Sequence, residues 1–198
     1  PHTFGLFHRN SIFLLLDSAE ELLDPLQTLD PLHPLLQQYH LVAGISNGFP
    51  ALHQLRAFGF QARKAIQLGQ RLDPTLHIFL YKNYAVYRML ELFLEHEPLE
   101  SLCSPEFLRL CQRSQDGESN LLETLRVYLK YGRNKTLTAK ELYIHVNTVK
   151  YRLAQIQEIM HLDLDDDETA FELTLSFKLL EYRQAFTHPE ATEEFWRQ

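Results

Sequence analysis

Four polar side chains sit together near residue 150: Asn147, Thr148, Lys150 and Tyr151. They supply an amide able to bond one base edge twice, a hydroxyl, a cation and a phenol, and such groups bond base edges and phosphates. Three other patterns hint at different chemistry. Gly44-Ile-Ser46-Asn-Gly48 has the G-x-S-x-G form of a nucleophile elbow. A hydrolase would also need a downstream carboxylate and His and an oxyanion loop before the Ser, and no His-Gly-Gly stretch precedes Ser46. A turn of small residues is the simpler reading. Asp163-x-Asp165-x-Asp167 starts like a calcium loop, but Glu168 stands where Gly is needed and Thr174 where a bidentate Glu is needed. These acids read instead as the start of a final helix. The ten histidines contain no H-x-x-x-H pair. No catalytic residue, metal site or cofactor is expected.

The elements that must carry the first cluster can be read from periodicity. Val146–Met160 has a helical pattern: Val149, Leu153, Ile156 and Met160 share one face, and Asn147, Tyr151, Ala154 and Glu158 the opposite one. Thr148 and Lys150 lie on the flanks. Residues 120–186 read as four helices. Asn120-x-x-Glu123 and Thr138-x-x-Glu141 look like capping boxes, with Thr136 another candidate start for the second helix. Gly132 looks like a helix stop, and Phe171, Leu175, Leu179, Tyr182 and Phe186 give the last helix its apolar face. A helix whose N-terminal end presents polar groups to the major groove is the working part of a helix-turn-helix.

The region before it mixes strands and helices. Phe4–Phe7 and Ser11–Leu16 suggest a hairpin, and Ser18–Leu29 a helix. Leu41–Ile45 and Leu76–Tyr81 suggest strands around a helix opened by Pro50, with Leu52, Leu55, Phe58 or Gly59, Ala62 and Ile66 inward. Helical spacing of Tyr84, Tyr87, Leu90 and Leu94 follows, then a short helix between Pro98 and the region of Leu110. Ser114–Asn120 suits a linker. The expected fold class is α+β: a truncated mixed α/β domain over 1–82, a helical linker over 83–117, an all-α helix-turn-helix domain over 118–187 and a tail over 188–198.

Charge supports this division. The chain carries −7 overall, but residues 118–160 carry +3 and residues 161–198 carry −7. A local basic surface is what phosphate binding needs, and whole-chain charge can hide it. No apolar run approaches the roughly 18 residues of a membrane span; the longest is Ile12–Leu16. Cys103 and Cys111 fit neither a redox pair nor a zinc knuckle, so reduced thiols and a cytoplasmic location are expected. The chain opens on Pro1 rather than Met, and an N-terminal part is expected to lie outside it.

The string from Asn120-Leu-Leu-Glu through Asn134, Thr138-Ala139-x-x-Leu142 and His145-Val-Asn-Thr-Val-Lys-Tyr-Arg-Leu153 to Leu162-Asp-Leu-Asp-Asp166 resembles the C-terminal helix-turn-helix of the PucR family. That family includes purine catabolism and carbohydrate diacid regulators of bacteria. The resemblance covers about 65 residues. It implies that His145 lies near the N-cap of the recognition helix. It also implies that Val146, Asn147, Thr148, Lys150, Tyr151 and Arg152 form the DNA-facing or supporting region, with Arg133, Lys135 and Lys140 as backbone contacts. Arg152 falls nearer the core on the helical wheel, where it would reach a phosphate or bind an internal carboxylate. Val146 stands where members often have Arg, and His161 where Gly often ends the helix. Upstream, Ala43-Gly-Ile-Ser-Asn, Leu52, Leu55 and Ala62-Arg-Lys-Ala-Ile-Gln-Leu-Gly69 resemble a GGDEF-like domain without its signature residues, implying a non-catalytic relative.

The resemblance implies a transcriptional regulator that binds operator DNA as a homodimer, since paired half-sites are the usual target. It also implies an effector sensed upstream, of unknown identity. Two other classes stay open: an interaction module whose helix-turn-helix no longer binds DNA, and an enzyme using Ser46. DNA binding that weakens steeply with salt separates the regulator from both. Loss of activity on Ser46→Ala would mark the last.

Overall fold

A computed structural model describes residues 3–8, 11–16, 30–114 and 119–186. The expected helix over Ser18–Leu29, most of the Ser114–Asn120 linker and the tail over 188–198 lie outside the described residues. The chain divides into two compact units between Arg88 and Met89.

In the first unit, β1 (Thr3–His8) and β2 (Ser11–Leu16) pair antiparallel from Thr3↔Leu16 to His8↔Ser11, as the alternation of apolar runs suggests. A short helix α1 (His33–Gln38) precedes β3 (Ala43–Ile45). β3 pairs in parallel with β4 (Ile78–Leu80), and α2 (Leu55–Leu72) makes the crossover that parallel strands require. Two glycines let α2 lie close to these strands. A Cβ on Gly44 would stand 2.0 Å from the Ala62 carbonyl oxygen, and one on Gly69 would stand 2.1 Å from the Phe79 ring.

The inward face of α2 agrees with the expected one at Ala62 and Ile66, which lie against Gly44, and at the half-buried Phe58 and Gly59, and departs from it at the start. Leu52 and Leu55 are exposed, and Ala65, Leu68 and Gly69 are buried. A tight turn over Leu52–Gln54 delays the helix to Leu55, which leaves both leucines outside the packed stretch. The strand expected through Tyr81 stops at Leu80 because α3 (Tyr81–Leu94) starts at once. Tyr84, Tyr87 and Leu90 are buried as their spacing predicts. The Tyr84 hydroxyl donates to Asp73 Oδ2 at 2.7 Å, fastening α3 to the turn after α2.

The second unit takes in the end of α3 from Met89 and continues with α4 (Leu99–Leu102) and α5 (Pro105–Arg113). Ser104 caps α5 by accepting the Phe107 N–H at 3.2 Å, and Pro105 opens it without needing a donor. The sequence places α5 in a linker, yet it packs on the helices that follow it. Phe107 meets Phe177 edge-on at 5.0 Å, and Leu110 is fully buried. Cys103 and Cys111 are free thiols, and both are buried. Burial, and then the neighbouring Cys103, push the Cys111 thiol up to about 12, so it stays a neutral packing group.

The four expected helices follow: α6 (Ser119–Lys130), α7 (Lys135–Glu141), α8 (Val146–Met160) and α9 (Asp167–Phe186). Gly132 ends α6 at φ 59, where Gly132 N–H bonds Leu129 O and Arg133 N–H bonds Tyr128 O. That is the paired closure expected of a glycine stop. Neither capping box is realised. α6 starts at Ser119, so Asn120 is already helical, and Glu123 pairs with Arg126. Asn134 caps α7 instead, accepting N–H bonds from Thr136 and Leu137 at 3.0 Å each. Thr138 is buried inside the helix, donating to Asn134 O.

In α9 the buried side chains are Leu173, Ser176, Phe177, Leu179, Leu180 and Arg183, while Phe171 is exposed. Leu179 is buried as expected and Leu175, Tyr182 and Phe186 are half-buried, while Leu173, Phe177 and Leu180, spaced for one face, extend the inward side beyond the expected stripe. Asp166 precedes α9 and accepts the Thr169 N–H at 2.8 Å, which holds its carboxyl below the usual range. The acidic run therefore caps the helix as expected. Among the described residues, no group of three or more His, Cys, Asp or Glu could hold a metal, and no helix is long and apolar enough to cross a membrane.

Gly44→Ala and Gly69→Ala should each lower the stability of the first unit by about 1–3 kcal/mol, the usual cost of forcing atoms into a filled contact. Chemical denaturation monitored in that unit checks this; unchanged midpoints would mean that α2 does not need the close approach.

Candidate nucleic-acid interface

The position of α8 follows from what it buries. Val149, Ile156 and Met160 are inaccessible to solvent and Leu153 nearly so. They pack against α5, α6 and α7. This is the stripe expected from the sequence, and it fixes the rotation of the helix. Asn147, Lys150, Tyr151, Ala154 and Glu158 are consequently exposed, with Val146 and Thr148 half-buried beside them. The Tyr151 hydroxyl accepts a bond from Gln155 Nε2 at 3.3 Å.

His145 is the N-cap of α8, in extended geometry at φ −74 and ψ 146. Its Nδ1 accepts the Asn147 N–H at 3.1 Å. A nitrogen that accepts cannot carry the proton, so in the neutral ring the proton sits on Nε2. The imidazole therefore caps the helix on one side and keeps an N–H donor on the other, in an exposed position. At the far end, His161 closes α8 in the left-handed region at φ 56, with its N–H bonding Gln157 O. This is the place where the sequence comparison expects Gly.

The cations of the basic segment divide into two sets. Arg126 pairs with Glu123, and Lys130 with Glu141. Arg133, expected as a backbone contact, reaches across to the start of α9. It donates to Asp165 O at 2.6 Å and pairs with Asp167. The Tyr128 hydroxyl donates to Asp165 Oδ1 in the same junction, and burial with that bond pushes its phenol up to about 12. Arg152 turns inward, where Nη1 donates to Thr124 Oγ1 at 3.2 Å, and Thr124 is fully buried on α6. Its near-core wheel position is thus realised, and its partner is a hydroxyl rather than a carboxylate. Lys135, Lys140 and Lys150 form the second set: no hydrogen bond or ion pair engages them among the described residues. Lys135 and Lys150 line the same shallow cleft, with Tyr128, Ala154 and Asp165.

Two α-helices joined by a tight turn, the second capped and turned so that a polar N-terminal face points outward, make a helix-turn-helix. The family comparison agrees on the location. Residues 121–179 match the PucR C-terminal helix-turn-helix domain. Three proteins similar to this chain come from Bacillus subtilis. The purine catabolism regulatory protein is 35% identical over 136 residues, 69% of this chain and 25% of that protein. The DNA-binding transcriptional activator AdeR is 31% identical over 107 residues, 54% of this chain and 25% of that protein. The proline-responsive transcriptional activator PutR is 26% identical over 157 residues, 75% of this chain and 38% of that protein. The chain therefore spans a quarter to two fifths of the length of these curated relatives. No solved structure matches it significantly.

Among the described residues, no His, Asp or Glu side chain hydrogen-bonds Ser46. Ser46 Oγ donates to the carbonyl of its neighbour Asn47 at 2.9 Å. The pattern exists because Gly44 must lie against α2. One exposed group in the helix-turn-helix escaped the sequence reading: Tyr143, in the turn before His145, is 96% exposed. Its signal was present as an aromatic at a position needing a turn residue.

His145→Ala should cost the second unit about 0.5–2 kcal/mol through loss of the cap, and His145→Ser should restore most of it. Thermal melts of the two variants check this. Equal melting of His145→Ala and the parent would show that Nδ1 does not cap α8.

Proposed function

We propose that the protein is a sequence-specific DNA-binding transcriptional regulator of the PucR type, controlling metabolic genes, and not an enzyme. The observation that carries this is the outward face of α8, which joins Asn147, Thr148, Lys150 and Tyr151 on a helix whose apolar stripe is fully engaged. In this reading Asn147 reads a base edge, adenine being the best match for an amide. Lys135, Lys140 and Lys150 neutralise phosphates, being the lysines and arginines of the basic segment whose side chains have no partner among the described residues. His145 adds its Nε2–H as a further donor, and Val146 contributes apolar contact at most. Arg133 and Arg152 act through the fold: one fastens α9, the other ties α8 to α6.

The same reading makes the protein a homodimer, because one recognition helix covers few bases and paired half-sites double the contact. The first unit and the helices after it form the interface. The large apolar side chains exposed on the hairpin, Phe4, Leu6, Phe7, Ile12 and Leu14, suit such a role. The parallel β3–α2–β4 unit fits a non-catalytic relative of GGDEF domains, and a small-molecule effector sensed outside the helix-turn-helix sets the regulatory state.

The test is selection of genomic fragments by the full chain, followed by salt titration. Lys150→Ala should reduce the slope of log affinity against log salt by about one, evenly across sequences. Asn147→Ala should cost about 1–3 kcal/mol on the selected site and relax preference at one base pair. Recovery of no fragment, or specific binding unchanged when Asn147→Ala and Lys150→Ala are combined, would refute the assignment.

A further inference from the structure

Tyr143 lies in the turn between α7 and α8 and holds φ 54. Its N–H bonds Lys140 O and the next N–H, of Ile144, bonds Ala139 O. This is the closure in which the central residue is normally Gly, because a Cβ in the left-handed region costs about 1–2 kcal/mol. A bulky residue there is an outlier. The side chain recovers none of that cost within the chain: it is 96% exposed, and no hydrogen bond or ring contact engages it among the described residues. His161 is also left-handed, but histidine is among the types enriched in that region. Arg133 is left-handed too, and its guanidinium fastens α9. Tyr143 alone among these combines a bulky ring, strain and no internal partner.

Its position supplies the missing partner. It stands three residues after Lys140 and two before the cap His145, both exposed. Strain held at an exposed position points to function, and a tyrosine hydroxyl is a regular donor to DNA phosphate. We infer that Tyr143 contacts the DNA backbone through its phenol, donating to a phosphate oxygen beside the groove that receives α8. This inference rests on the regulator reading above. It adds a contact that carries no charge and so releases no counterion.

The experiment uses the full chain and a duplex selected by the wild type from a random-sequence library. Tyr143→Gly should raise the melting temperature while weakening binding to that duplex by about ten-fold or more, the usual scale for a bond to a charged acceptor. Tyr143→Phe should leave melting unchanged and weaken binding nearly as much. Neither variant should alter the salt slope, in contrast to Lys150→Ala. A purely structural tyrosine would move stability and affinity together. Binding of Tyr143→Gly within two-fold of wild type would overturn the inference and leave the regulator reading intact. A wild-type chain that selects no duplex would overturn both.

Discussion

The second unit depends on the burial of one stripe on α8. Val149, Leu153, Ile156 and Met160 are held by three helices at once. A rotation of the helix by one residue would withdraw this stripe and expose it, at a cost of about 1.5–3 kcal/mol for each large side chain. The outward groups therefore have no freedom to choose their direction. The polar face is set by the apolar face opposite it, and the proposed interface is positioned by a core it does not belong to.

The charged residues around that core have separate tasks. Arg133 and Arg152 belong to the most basic segment of the chain, yet one faces the acidic start of α9 and the other a buried hydroxyl on α6. Such contacts hold the elements in register. Lys135, Lys140 and Lys150 carry charge with no partner among the described residues, and in the proposed reading long-range attraction to phosphate acts on them. The acidic run after α8 completes the division: Asp163 and Asp166 accept backbone N–H groups, and Asp165 and Asp167 engage Arg133 and Tyr128. The strongly negative end of the sequence thus works partly as helix capping.

Much of this was legible in the residues. The α8 stripe follows from spacing alone, as do the hairpin and the strand–helix–strand order of the first unit, because strong periodicity leaves few alternatives. What the sequence hid has physical causes. The caps of α6 and α7 were misplaced because Ser, Thr and Asn compete for the same backbone N–H groups, and only the geometry of the turn after Gly132 selects Asn134. The start of α2 differs from its spacing because a tight turn over Leu52–Gln54 precedes the helix, and its buried face runs on to Gly69, which has no side chain to register as apolar. Arg133 looked like a phosphate contact because its acidic partners lie more than thirty residues away in sequence.

The central claim is that the N-terminal outer face of α8, with the turn before it, is the surface that meets DNA. Amide hydrogen exchange of the full chain, with and without the selected duplex, tests it most directly. Added protection should concentrate in residues 140–152. Protection confined to the first unit, or to α9, would contradict the account.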